Sequence, residues 1–152
     1  MPLSRRTLIG SSLAAATIAT RPAHAVTKVL RIGISTSLNT LDPMMVTLGD
    51  EYIYANLVFN GLARMREDLV VEPDLAESWS YSDDLKRWTF RLRRGVKFHD
   101  GQEMVADDVV ASFRRLFDPA GTSPVRSQYD MVDSVSSPDA GTVVFQLKIP
   151  YG

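Results

Sequence analysis

The chain has 152 residues, 45% of them hydrophobic and none cysteine, with 17 basic against 18 acidic side chains. That length and apolar content suit one ordinary domain, and the lack of cysteine excludes disulfide staples and Cys-rich structural zinc sites. Residues 1–25 hold three of the 17 basic side chains and no acid, so the remainder carries 14 basic against 18 acidic, a net −4, which argues against a nucleic-acid partner.

Ser4-Arg5-Arg6-Thr7-Leu8-Ile9 reads as a paired-arginine export signal. Leu8–Thr20 follows as a weakly apolar run of 13 residues, short of the ~20 that span a bilayer. Arg21-Pro22 breaks the run, and Ala23-His24-Ala25 places small residues, Ala23 and Ala25, ahead of a cleavage point. Twin arginines point to the route that exports folded proteins; the alternative is a general secretory leader that begins Arg-Arg. On either route the mature chain is expected to start near Val26, across the inner membrane. With no cysteine to lipidate, it is expected to be periplasmic, soluble and not lipid-anchored.

Val29–Ile34 reads as a first strand buried on at least one side, followed by the polar loop 35–40 and by Leu41-Asp42-Pro43, where the proline imposes an extended or turning backbone. Asp50–Phe59 is expected to be a helix, with Ile53, Leu57 and Val58 on one face and the left-handed stop at Asn60-Gly61. Tyr52, Tyr54 and Phe59 are either core or a stacking platform. Leu62–Met65 and Leu69–Val71 form a hairpin about Arg66-Glu67-Asp68.

In Arg87–Leu92 the apolar residues Trp88, Phe90 and Leu92 alternate with Arg87, Thr89 and Arg91, the period of a half-buried strand. Gly95 breaks the run, Val96-Lys97-Phe98 resumes it, and His99-Asp100-Gly101 turns the chain. From Ala106 the period becomes helical, with Val109, Val110, Phe113, Leu116 and Phe117 on one stripe. The basic cluster Arg87, Arg91, Arg93, Arg94, Lys97 reads as a solvated sheet face. Two prolines and a glycine make Asp118–Pro124 a loop. Met131–Ser136 and Thr142–Leu147 pair across Pro138–Gly141, and exposed apolar strand edges are expected near the carboxyl end. There is no internal repeat.

Several of these stretches carry a resemblance. W-S-x-S-D-x-x-x-x-W-x-F-x-L-R-x-G-V-x-F-H-D-G from Trp79, A-x-D-V at Ala106–Val109 and P-x-L-A-x-S-W at Pro73–Trp79 resemble the signature of family 5 extracellular solute-binding proteins. Two departures stand out. Asp83-Asp84 replaces an Asp-Gly turn, and Val105 replaces the usual Thr or Ser ahead of the helix, removing a cap oxygen typically worth about 1 kcal/mol. Asp107 and Asp108 in the first turn recover part of that through the helix dipole.

The resemblance implies an α+β, periplasmic-binding-protein-like fold of type II with mixed sheets, present as the front part of two lobes. On that pattern, residues 26–71 open the ligand-binding lobe and 72–152 form most of a smaller accessory domain. The implied partners are a small peptide or other small solute and the ABC permease subunits of the inner membrane, with no cofactor and a monomeric full-length receptor. Residues 26–152 alone are expected to bind no peptide usefully. Nickel, haem, opines and sugars occupy the same scaffold in other branches. The loop before Leu41-Asp42-Pro43 lies at the cleft in the family, which makes Ser37, Leu38 and Asn39 ligand-facing candidates. Asp118-Pro119 followed by Ser123-Pro124 resembles the peptide-binding branch and nominates Val125, Arg126, Gln128 and Tyr129. Arg126 has the two-pronged donor geometry that clamps a carboxylate; the competing reading is a solvated arginine and a half-buried tyrosine.

Catalysis has few places to stand. His99 is the one histidine of the mature chain, and its expected task is a hydrogen bond to the backbone of its own turn. Neighbouring carboxylates on a helix diverge by about 100°, so Asp107-Asp108 is no acid–base dyad, and neither a metal-ligand spacing nor a glycine-rich phosphate cradle is present. The alternative function is the front of an exported enzyme, since twin-arginine export often serves cofactor-loaded redox proteins. The missing cysteines and the missing dinucleotide fingerprint weigh against it.

Overall fold

The computed structural model describes residues 29–33, 38–47 and 49–152. The export signal, with Arg5, Arg6, Ala23 and Ala25, and the loop residue Ser37 lie outside the described residues. Along the chain come α1 (Gly49–Val58), β1 (Ala63–Met65), β2 (Val71–Pro73), β3 (Ala76–Tyr81), β4 (Arg87–Leu92), α2 (Ala106–Phe117), a 3-10 turn at Arg126–Tyr129, β5 (Val132–Asp139) and β6 (Thr142–Leu147). β1 and β2 form a two-stranded hairpin, and the other strands form a sheet in the order β3-β4-β6-β5. Among the described residues every strand pairing is antiparallel. Residues 38–152 fall in one compact unit and Val29–Gly33 in another.

The alternation in β4 decides which side of the larger sheet is buried. Trp88 lies opposite Phe145 and Phe90 opposite Val143, while Thr89 and Arg91 face Val144 and Thr142 on the other surface. The apolar side joins Leu92, Val132, Val143, Phe145 and Leu147 with Met104 and Ala106 in one buried cluster, and Val109, Phe113 and Phe117 of α2 pack onto it. Phe145 sits at the centre. Its ring meets Phe90 at 5.5 Å and Phe113 at 4.8 Å, both edge-on, the arrangement that sets a positive ring edge on a negative ring face. Arg87 and Arg91 are exposed on the opposite side, as the alternation requires.

Carboxylates close the turns. At the start of α2, Val105 is extended and offers no capping side chain; instead the Asp108 carboxylate accepts the Val105 N–H at 2.8 Å. The Ala140 carbonyl takes the Ala106 N–H at 2.9 Å, so the β5–β6 turn supplies a further cap. Asp107 accepts from the Ser137 hydroxyl. In the β3–β4 turn, the Ser82 hydroxyl at 2.5 Å and the Lys86 N–H at 3.1 Å hold the Asp84 carboxyl below the usual carboxylate range. The Gly141 N–H at 2.8 Å, then the Thr142 side chain, does the same for Asp139 in the β5–β6 turn. Among the described residues the two left-handed ones that are not glycine, Leu69 and Leu85, serve the β1–β2 and β3–β4 turns.

Several expectations need correction. Val29–Gly33 forms no strand, and Val29, Leu30 and Ile32 are 71%, 83% and 74% exposed, since among the described residues no strand pairs with them. In α1 the expected apolar face is open, with Ile53 58% and Leu57 76% exposed, whereas Glu51 and Ala55 are buried. Tyr52 and Phe59 are exposed and Tyr54 half-buried. Gly61 is not left-handed; that conformation falls at Gly95 and Gly101. Val96–Phe98 makes only one bridge, Lys97 to Glu103. Trp79 is half-buried on edge strand β3, beside Phe90 at 6.2 Å, because α2 packs over β5 and β6. The carboxyl-terminal edge is not apolar. The apolar strand β6 lies inside the sheet, and the edge strand β5 carries Asp133, three serines and Pro138, residues that discourage further pairing.

Truncating Phe145 to alanine is expected to lower stability by about 3–5 kcal/mol, against under about 0.5 kcal/mol for Arg91→Ala, both read from urea midpoints. Because folding depresses the Asp84 and Asp139 carboxyls, their stabilisation is complete above the ordinary aspartate range. It disappears as the pH falls from that range through the lower folded values. Asp139→Asn keeps an acceptor for the Gly141 N–H and removes one titration, so its Tm should fall less than the wild-type Tm across this acid window.

Candidate ligand site

The stretch Leu38–Met45 ends in a tight turn that the sequence itself dictates. Pro43 fixes its own φ at the second turn position, the Met45 N–H donates to the Asp42 carbonyl at 2.9 Å, and the Asp42 side chain accepts the Met44 N–H at 3.0 Å. Thr40 Oγ1 accepts the Asp42 N–H at 3.0 Å. The other Asp42 oxygen meets the Arg115 guanidinium, projected from the last turn of α2. Ser123, in the loop after α2, donates its hydroxyl to the Met44 carbonyl at 2.5 Å. A cavity of about 230 Å³ lies between turn and loop, lined by Asp42, Met44, Met45, Arg115, Asp118 and Thr122 among others. A broader depression of about 580 Å³ runs beside it along Ala111, Arg114, Phe117 and Pro119.

Leu38 and Asn39 are exposed just ahead of this turn. Arg126 is half-buried; its backbone N–H donates to the Ser123 carbonyl at 3.3 Å and its Nη1 to the Asp118 carbonyl at 3.2 Å, so it bridges the loop. Gln128 is exposed, and Val125 and Tyr129 are half-buried. The Tyr129 ring packs edge-on against Phe113 at 5.5 Å, which ties it to the core cluster. The structure thus joins the loop holding Arg126 to the turn following Leu38 and Asn39, through Ser123 and Arg115. The residues making that join, Asp42, Arg115 and Ser123, escaped the sequence reading. Their contacts cross 73 and 79 residues of chain, and no local period signals such a pair.

The groups weighed for chemistry are dispersed. His99 is exposed, and the side chain that holds its turn is Asp100, whose carboxylate accepts the Gln102 N–H at 2.9 Å. Asp107 and Asp108 engage different partners, Ser137 and the Val105 N–H. Among the described residues no three His, Cys, Asp or Glu side chains converge as metal ligands would. Within the basic cluster Arg87, Arg91, Arg94 and Lys97 are exposed, while Arg93 donates from Nε to the Asp74 carbonyl at 2.6 Å. No helix among the described residues is long and apolar enough to cross a membrane.

Comparison with known proteins places this geometry in context. The model of bacterial extracellular solute-binding proteins, family 5 middle region, matches residues 70–152. The chain is 31% identical, over its whole length, to 29% of a Sinorhizobium fredii protein named as a probable peptide ABC transporter periplasmic-binding protein. Campylobacter jejuni NikZ, solved in complex with Ni(L-His), superposes with a TM-score of 0.72 at 31% identity, covering 78% of this chain and 24% of that one. Bacillus subtilis AppA, an oligopeptide-binding protein solved with a nonapeptide, gives 0.68 at 32% identity, covering 78% and 23%. The chain spans less than a third of the length of the curated relatives it matches.

The Asp42–Arg115 pair has side chains 26% and 60% exposed, so breaking it should cost under about 1 kcal/mol of global stability. Its effect is local. Asp42→Ala should speed hydrogen exchange at the Met44 and Met45 amides and leave the amides of β4 and β6 as protected as before.

Proposed function

The chain belongs to the bacterial extracellular solute-binding proteins of family 5, and from that membership we propose that it forms part of a receptor delivering a small solute to an ABC permease of the inner membrane. The observation that carries this reading is the coincidence of two independent matches. The family model covers residues 70–152, and the helix and sheet built from those residues superpose on solved relatives that hold small guests. A peptide is the guest we favour, because the Asp118-Pro119 and Ser123-Pro124 pattern resembles the peptide-binding branch and because AppA was solved with a peptide.

In this reading Ser37, Leu38, Asn39, Arg126, Gln128 and Tyr129 face the guest. The carbonyl contact of Arg126 with Asp118 orients the guanidinium, and an oriented guanidinium can clamp a peptide carboxylate. Tyr129, braced against Phe113, offers a rigid aromatic edge. Residues 26–71 open the ligand-binding lobe and 72–152 build the smaller domain. The chain is exported by the twin-arginine route, is cleaved after Ala25 and acts in the periplasm without a lipid anchor. We assign no bond-making role to any side chain; the dispersed placement of His99, Asp107 and Asp108 supports that.

A thermal-shift screen of the full-length mature protein tests the assignment. One solute class, peptides first, should raise Tm in proportion to ligand excess, with no turnover of any solute. Turnover abolished by replacing a single carboxylate or His99, with no solute raising Tm, would defeat the receptor reading. Arg126→Ala should weaken carboxylate-bearing peptides by about 10–100-fold, the scale of a lost charge-assisted hydrogen bond, and leave the ligand-free Tm in place. Unchanged affinity would remove Arg126 from the site.

A further inference from the structure

Asn60-Gly61 is the one Asn-Gly pair among the chain's three asparagines. Glycine has no Cβ to block the approach of its backbone nitrogen to the preceding side-chain carbonyl, and both residues are exposed to water. The Asp74 carboxylate holds both reacting groups. Asn60 Nδ2 donates to its two oxygens at 3.1 Å each, and the Gly61 N–H donates to Oδ2 at 3.2 Å. Asp74 is itself anchored, its N–H to the Leu62 carbonyl at 3.3 Å and its carbonyl to Arg93 Nε at 2.6 Å. We infer that Asn60-Gly61 is a spontaneous deamidation site, held off by the Asp74 clasp, whose conversion unfastens the β1–β2 hairpin from the four-stranded sheet.

The chemistry balances with water as the only co-reactant. The Gly61 nitrogen gives up its proton and attacks Asn60 Cγ; the new C–N bond closes a five-membered imide, the Cγ–Nδ2 bond breaks, and the amide nitrogen leaves as ammonia carrying that proton. Water then opens the imide at either carbonyl, giving aspartate or isoaspartate. Asp74 opposes the first step twice. Ionising an N–H that already touches a carboxylate brings two anions together, and the leaving nitrogen must break two charge-assisted hydrogen bonds. Conversion then inverts the site, because a carboxylate at position 60 would face Asp74 as a like charge.

Isoaspartate would also lengthen the backbone where there is no slack. The Gly61 carbonyl accepts the Leu75 N–H at 3.0 Å and the Leu62 carbonyl the Ala76 N–H at 2.9 Å. These are the bonds that fasten the hairpin to β3.

The test is peptide mass mapping, with isoaspartate detection, of the full chain aged in mildly alkaline buffer. Asp74→Asn keeps the shape and one acceptor oxygen but removes the charge. Conversion at Asn60 should then run about tenfold faster, the scale of one hydrogen bond to a charged group, while isoaspartate at Asp100-Gly101 forms at its wild-type rate. Equal rates at Asn60 in the variant and the wild type would overturn the inference. Acceleration at both Asn60 and Asp100 would overturn it too, since general opening of the fold then accounts for the effect. Asn60→Asp installs the aspartate product, with its like charge facing Asp74, and should speed hydrogen exchange at Leu75 and Ala76 relative to β4 and β6. Unchanged exchange there would refute the unfastening.

Discussion

A sheet whose central strands turn a row of apolar side chains to one side must cover that side, and that obligation shapes the molecule. β4 and β6 run side by side through the middle, with Trp88, Phe90 and Leu92 from one and Val143, Phe145 and Leu147 from the other turned the same way. Helix α2 answers with Phe113, and the three rings of Phe90, Phe145 and Phe113 meet edge to face. The helix packs over β5 and β6, so the cover is uneven. Tyr81, on edge strand β3, stays 60% exposed on the apolar side.

Around that core the joints are made by carboxylates accepting backbone N–H groups. Asp42, Asp74, Asp84, Asp100, Asp108 and Asp139 each do so at a turn or a helix start. Such bonds are charge-assisted and short-range, which suits a protein with no covalent cross-link. Asp107 and Asp108, the acids weighed for chemistry, make contacts of the same kind, with the Ser137 hydroxyl and the Val105 N–H.

This division of labour fits a receptor. A binding scaffold needs segments distant in sequence held at fixed separation, and it needs no acid next to a base. The turn at Asp42–Met45 and the loop at Asp118–Arg126 are held that way, by Arg115 and Ser123 reaching across the chain. The framework there is built from ordinary polar contacts.

The sequence by itself determined the elements whose signal is local. The alternation of Arg87–Leu92, the helical stripe from Ala106 and the Asp-rich turns all appear where they were expected, because strand period, helix period and turn chemistry act within a few residues. It also led to the family through the tryptophan-to-glycine motif. Only the tertiary structure decided which apolar residues would find cover. Val29, Leu30, Ile53 and Leu57 look like core in the sequence and are exposed, and Trp79 stands at a half-covered edge. Burial depends on whether another segment packs against a side chain, and no local pattern carries that information. The same reason hid Asp42, Arg115 and Ser123, whose partners lie more than 70 residues away along the chain.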